Sequence, residues 1–192
     1  MKSAAEIYLE HVESLCGREA TSFHKLPPTR PGLGALSCAL FEGVPEPGYL
    51  TAATLGLSLA DHPEWKFGKP ELMICVNSTD PAWAMAITDI AEQHRGDFTF
   101  SYGQTINFNA RISPDSEMSG FFLFAPSFPT RAFQQEETKV VLPATTVHLK
   151  GMYPMYDGEI DLYRCFGLER FWKLEGFDPW DVRRPDLSKR YA

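Results

Sequence analysis

The sequence lacks any unbroken apolar run near the roughly 20 residues that a membrane-spanning helix needs. Its amino terminus, MKSAAEIYLEHVESL, carries a lysine but no continuous apolar segment, so it does not read as a secretory leader. Basic residues are in short supply: 18 Lys and Arg stand against 25 Asp and Glu, a formal net charge of −7. That deficit argues against general affinity for nucleic acid or an anionic membrane, since both need a basic footprint. Cysteine is sparse too. Cys16, Cys38, Cys75 and Cys165 lie far apart with no CxxC pair, which argues against a disulfide framework and leaves small buried thiols as the simplest role. These absences predict a cytoplasmic protein in a reducing compartment.

Motifs for chemistry are missing as well. There is no HExxH, no His-x-His and no EF-hand loop, and no His or Cys pair has the close spacing of a structural zinc site. His11 and Cys16, five residues apart on one helix, project about 140° from each other and cannot share an ion. GLGALS at 32–37 gives Gly-x-Gly without the third glycine, and it follows prolines instead of a strand. No Walker lysine follows a glycine-rich loop, and neither Ser37 nor Ser101 has the glycines of a nucleophile elbow. The reading assigns no catalytic, cofactor-binding or metal-ligating residue. A hydrolase built from dispersed residues such as His62, His148 and the carboxylates around Glu159 is the alternative, and a homo-oligomeric scaffold is another.

What is present belongs to a folded chain. With 192 residues, 44% hydrophobic and 13% aromatic, the sequence can bury the core of one domain. Ser3 with Glu6 makes a capping box, Gly17 a stop, and Tyr8, Val12 and Leu15 recur at helical spacing between them. The proline-glycine stretch 26–34 cannot continue a helix. ALSCALFE, YLTAATLGLSLA and ELMICVNS read as strands, the second with two apolar-tolerant faces that suit an interior position. Asp80 reads as N-cap and Pro81 as first residue of a second helix, with Trp83, Ala86, Ile87, Ile90 and Ala91 as its buried stripe and Gly96 as its end. FTFSYGQTINF and MSGFFLFAPSF read as further strands. RAFQQEET reads as an exposed loop, and KVVLPATTVHLKGMYPMY as extended chain whose prolines favour edges and bends. Short helices follow from Asp157 and through LERFWKLEG, and Asp178-Pro179 marks another helical start.

The trio Asp157, Glu159 and Asp161 tests whether this end of the chain is catalytic. Paired catalytic carboxyls must face one substrate. On a helix, Glu159 and Asp161 project about 200° apart and do not converge. Asp157 reads instead as the N-cap, with all three carboxylates favoured by the exposed amides and dipole of the first turns and Asp161 within reach of Arg164. On this reading Asp157→Ala costs about 0.5–2 kcal/mol as a lost cap. The aromatics from Tyr153 onward are mostly core, and those beside charges, as in PWDVRRP, have the amphipathic character of protein-binding hot spots. The segment 51–100 holds three basic residues (Lys66, Lys69, Arg95) against seven acidic ones, a candidate acidic face for a basic partner.

In order, GYLTAATLGLS, PELMICVNS, DPAWAMAITDIAEQH, GQTINF, GFFLFAPSF, TVHLKGMYPMYDGEIDLYRCFG and WDVRRPDL resemble the Suppressor of fused domain family, in particular its stand-alone bacterial members. The resemblance runs from Leu36 to Leu187; the loop RAFQQEET and the basic tail have no counterpart in it. It implies a non-enzymatic protein-binding module without shared metal or catalytic residues. Animal members sequester a transcription factor in Hedgehog signalling with the help of a second domain, for which this chain is too short. Bacterial members resemble immunity proteins that neutralise a cognate toxin by binding it. The expectation is therefore a single α+β domain, a central mixed, mostly antiparallel sheet packed by helices with a helical C-terminal segment. Residues 1–34 form an N-terminal helix and connection, 35–187 the family domain and 188–192 a tail, in one globular unit. Partner contacts are assigned to Tyr153, Tyr156, Glu159, Trp180, Asp181 and Arg183, and the partner to a basic toxin domain, with homo-oligomers, but not nucleic acid or membrane, also allowed.

Overall fold

The computed structural model describes residues 2–191. Helix α1 (Ala4–Cys16) begins at the expected box, with Glu6 N–H donating to Ser3 Oγ at 3.2 Å and Ser3 N–H to the Glu6 carboxylate at 2.6 Å. Gly17 ends it at φ +70°, a left-handed conformation natural to glycine. Strands β1 (Ser22–Leu26), β2 (Leu36–Glu42) and β3 (Leu50–Leu55), a single 3-10 turn at Leu57–Leu59 and β4 (Lys69–Val76) follow. Helix α2 (Ala82–Gln93) precedes β5 (Thr105–Asn107), β6 (Gly120–Phe124), and the two-residue strands β7 (Ser127–Phe128) and β8 (Arg131–Ala132). β9 (Lys139–Val141) and β10 (Thr146–Met155) then lead into α3 (Asp157–Phe166), α4 (Leu168–Trp172) and α5 (Ser188–Tyr191).

One sheet organises the molecule, in the order β1-β2-β3-β4-β10-β6-β5, with β9 also paired to β10 and β7-β8 forming a separate hairpin. Every pairing is antiparallel except β4 with β10, which runs parallel from Lys69↔Val147 to Met73↔Gly151. The fold is therefore α+β, as the sequence predicts. Alternation along β4 sends its side chains to two cores. Leu72, Ile74 and Val76 meet Trp83, Ile87 and Ile90 of α2 on one face, while Met73 and Cys75 meet Tyr8 and Val12 of α1 on the other. A third cluster gathers Phe122, Tyr153 and Met155 under Ile160, Leu162 and Phe171 of the C-terminal helices and Leu187 just before α5, and Trp180 packs against both this cluster and the α1 core. Each such fully buried side chain contributes about 1.5–3 kcal/mol by leaving water.

Several expectations change at the level of single elements. Asp157 is not the cap of α3: Tyr156 occupies that position, and the Glu159 carboxylate reaches back to its N–H at 3.1 Å. Asp157 instead accepts a hydrogen bond from Asn107 Nδ2 at 2.5 Å. Asp80 does accept the Ala82 N–H, at 2.9 Å, although α2 starts one residue later than expected. Asp178-Pro179 starts no helix, because Asp178 accepts the N–H groups of Trp180 and Asp181 and closes a turn. The stretch 98–108 narrows to three strand residues, since Phe100 has φ +50° and Gln104 Oε1 takes the Ser101 N–H in a tight turn. RAFQQEET is not all loop, for Arg131 and Ala132 pair with Ser127 and Phe128. Pro154 does not put β10 at an edge. It is a central strand, and Pro154 falls in the half that pairs with β6 after contact with β4 has ended.

Candidate protein-binding surface

The six residues singled out in the sequence lie in and beside the C-terminal segment, where structure claims most of them. Glu159 is fully buried, and its carboxylate is held by both terminal nitrogens of Arg184 and by the Leu187 N–H at 3.0 Å. Arg184 is buried too and donates onward to the carbonyls of Asp178 and Pro154, so the pair pins the chain end against α3 and β10. Tyr156 donates from its hydroxyl to the Arg184 carbonyl at 2.7 Å. Tyr153 is 3% exposed, and its hydroxyl donates to the Ala125 carbonyl at 2.6 Å. Trp180 is half-buried, with Nε1–H donating to Ser127 O at 3.2 Å and its own carbonyl accepting the Asn77 N–H at 2.8 Å. Asp181 accepts the Arg183 N–H, and only Arg183 stands in solvent, 3.7 Å from Asp115. Burial pushes the Tyr153 and Tyr156 hydroxyls above the usual phenol range.

The residues of the dispersed-hydrolase alternative have structural partners of their own. His62 stacks beside Trp65 with centroids 5.6 Å apart and accepts the Glu64 N–H, while Glu159 stays inside the C-terminal cluster. Burial pushes the thiols of Cys16, Cys38 and Cys75 up to about 12, which keeps them protonated and weakly nucleophilic. Among the described residues, no three His, Cys, Asp or Glu side chains are gathered to hold a metal ion. The acidic count of 51–100 does not become an acidic face either. Glu71 and Glu92 are buried, Glu92 is paired with Arg95, Asp61 with Lys69, and Asp97 with Arg30.

An aromatic groove of about 480 Å³ opens elsewhere, on the face of the sheet that carries α2. Its sides come from the loop before β4 (Trp65, Phe67), the turn before β5 (Tyr102), and the stretch after β8 (Phe133), and its floor from β10 (His148, Lys150). The register explains the floor: His148 lies opposite Pro70 and Lys150 opposite Leu72, so the small, flat proline leaves room beside the histidine. Gly68 (φ +144°) lets the backbone cross the imidazole, because any Cβ there would run into the His148 ring. His148 Nε2 lies 3.1 Å from the Phe67 carbonyl, which holds that loop over the strand. Trp65 Nε1–H donates to Thr99 O at 3.0 Å, tying the loop to the opposite wall. Lys150 Nζ sits 4.1 Å from the Tyr102 ring centroid, a cation–π contact, and its partial burial lowers its pKa. His148 and the Trp65 indole N–H are thus engaged within the groove, while its aromatic side chains offer apolar surface. Phe67 is 92% exposed and Tyr102 46%.

The sequence analysis assigns Trp65 and Phe67 no role, because DHPEWKFGKP is a loop between two predicted strands. The signal lies in Phe67, a large aromatic in a stretch with no strand partner that stays exposed while Trp65, two residues before it, packs against the α2-side core.

A mixed sheet covered by helices takes Glu71, Glu92 and Glu159 into its interior and leaves an aromatic groove open. The sequence model of the Suppressor of fused protein (SUFU) matches residues 30–186, and the chain belongs to that family. No curated protein matches it. Among solved structures, a Suppressor of fused homologue from Neisseria gonorrhoeae superposes with a TM-score of 0.69 at 15% identity, covering 95% of this chain and 96% of that one. A chain of the Sufu–Fu complex gives 0.68 at 13% identity, covering 98% and 94%. Drosophila Suppressor of Fused gives 0.64 at 13%, and there the match spans 96% of this chain but 51% of the other. At these identities the likeness is one of fold.

Proposed function

We propose that the protein is a non-catalytic protein-binding module, with 35–187 as its binding domain, and that the partner docks in the aromatic groove. The observation that carries this is the exposed pair Phe67 and Tyr102 above a floor in which His148 is already engaged and Lys150 lies against the Tyr102 ring. Rigid aromatics beside a partly buried tryptophan are the usual anchors of protein interfaces, where a few residues supply most of the affinity. Membership of the Suppressor of fused family supports binding over catalysis. The partner in this reading is a basic protein, in its narrowest form a toxin domain that the chain neutralises as an immunity protein. The net charge of −7 supports it by favouring encounters with a cationic surface. Four free cysteines agree with a reducing, cytoplasmic setting.

The test is capture of partners on the tagged full chain at low and moderate salt, with Phe67→Ala/Tyr102→Ala and Arg183→Ala run alongside. The expected result is a basic protein held by the wild type, released by salt, and lost at least about tenfold in the groove double variant, since anchors of this type cost about 2 kcal/mol or more when truncated. Arg183→Ala is expected to retain it. Loss with Arg183→Ala alone moves the contact to the C-terminal segment. Recovery of only further copies of the chain replaces the reading with a homo-oligomeric scaffold.

A further inference from the structure

A second recess, of about 310 Å³, opens on the opposite face of the sheet between the start of α1 and the turn that joins β3 to β4. Ala4, Ala5, Leu55 and Leu142 line it, and Phe23 and Leu59, 54% and 61% exposed, stand at its rim. Two polar groups in its lining are buried, Glu71 at 1% exposure and Tyr8 at 4%. The two carboxylate oxygens of Glu71 are treated unequally. Oε1 accepts three hydrogen bonds, from Gly56 N–H at 2.8 Å, Ser58 N–H at 3.0 Å and Ser58 Oγ at 2.7 Å. Oε2 accepts one, from Thr54 Oγ1 at 2.6 Å. A brace for the β3–β4 turn accounts for Oε1 but leaves Oε2 with spare capacity.

Glu71 also has no counter-ion: among the described residues it joins no salt bridge, and no Lys, Arg or His lines the recess. The Tyr8 hydroxyl has no hydrogen-bond partner at all, and Glu71 is the strongest charge acting on it. A buried hydroxyl left unpaired is costly, and a buried carboxylate without a cation more so, and here the two border one apolar cavity. The positive end of α1 does not supply the missing charge, because Ser3 and the Glu6 carboxylate already occupy its first amides.

We propose that this recess binds a small organic cation, a primary ammonium on a short apolar stem. The head donates to Glu71 Oε2 and to the Tyr8 oxygen, and the stem lies along Leu55, Leu59 and Phe23. At about 30 Å³ for a water-sized atom group, the recess holds roughly ten non-hydrogen atoms. It shares no residue with the aromatic groove, so the two sites stand or fall separately.

The experiment titrates the full chain with hexylammonium, hexanol and hexanoate, read by calorimetry and by NMR shifts. Hexylammonium is expected to saturate, hexanol to bind at least about tenfold more weakly, and hexanoate not to bind. Glu71→Gln also loosens the turn it braces, so two other variants carry the test. Tyr8→Phe, which removes an unpaired hydroxyl, is expected to fold and to weaken hexylammonium about three- to tenfold. Ala5→Phe, at an exposed position on α1, is expected to plug the mouth and abolish saturation. Equal binding of hexanol and hexylammonium overturns the proposal in favour of an apolar dent. Undiminished binding by Tyr8→Phe or Ala5→Phe overturns it by placing the cation elsewhere.

Discussion

Glu159 answers two demands at once, the open N–H at the start of α3 and the guanidinium of Arg184. Removing one member of a buried pair leaves the other charged and unsolvated, so Glu159→Gln is expected to lower unfolding stability by about 3–5 kcal/mol. The double change Glu159→Leu with Arg184→Met is expected to cost less than either single change, measured by chemical denaturation. Asp157→Ala, freed of a capping role, is expected to cost about 0.3–1 kcal/mol for the carboxylate at a helix start, together with its exposed hydrogen bond from Asn107. Sequence spacing placed these acids on a helix and correctly kept Glu159 and Asp161 apart. It assigned the cap to the wrong residue because Arg184, the cation that fixes Glu159, arrives 25 positions later in the chain.

Glu71 supplies a pH signature. Burial raises its pKa above the ordinary 4.5, against the lowering effect of hydrogen bonds from Thr54, Ser58 and Gly56. A carboxyl raised on folding binds its proton more tightly in the native state, so its contribution to stability falls as pH rises from 4.5 through the higher folded value. Against a Glu71→Gln reference, the wild type is therefore expected to lose relative stability across that rise in a denaturation series.

Among the elements, β10 bears the most constraint. Gly151 is the position where it changes partner, opposite Met73 of β4 and Phe124 of β6. A Cβ there would lie 2.9 Å from Pro126 Cα and 3.0 Å from the Tyr153 ring, one neighbour being backbone that cannot rotate away. Gly151→Ala is expected to destabilise by about 1–3 kcal/mol through overpacking, visible as a lower Tm. Helices α1 and α2 were legible because caps, stops and apolar stripes are local signals. Strand β1 was not: SFHKL does not alternate apolar with polar residues, and only pairing with β2 makes it a strand. The central place of β10 was hidden by the same cause in reverse, since a proline rule read strand by strand cannot know which half of a strand has a neighbour.

For the whole molecule, charge and shape were legible to different degrees. The α+β class follows from the order of elements, but the aromatic groove depends on four segments far apart in sequence meeting around Pro70 and His148. If a basic partner is steered by the −7 charge, raising salt from about 50 to 200 mM is expected to slow association more than it speeds dissociation, as a stopped-flow or surface-binding series would show. Equal salt effects on both rates would argue that the groove works by apolar contact alone.

The parallel pairing of β4 with β10 also sets a clock for synthesis. Strands β1 to β4 can zip together as they leave the ribosome, yet the other edge of β4, from Lys69 to Met73, waits for residues 147–151 to be made. At about 5–20 residues per second that wait is on the order of 4–16 s. Through it an apolar strand edge stays open to wrong neighbours, so the nascent chain, more than the finished fold, is the form exposed to mispairing.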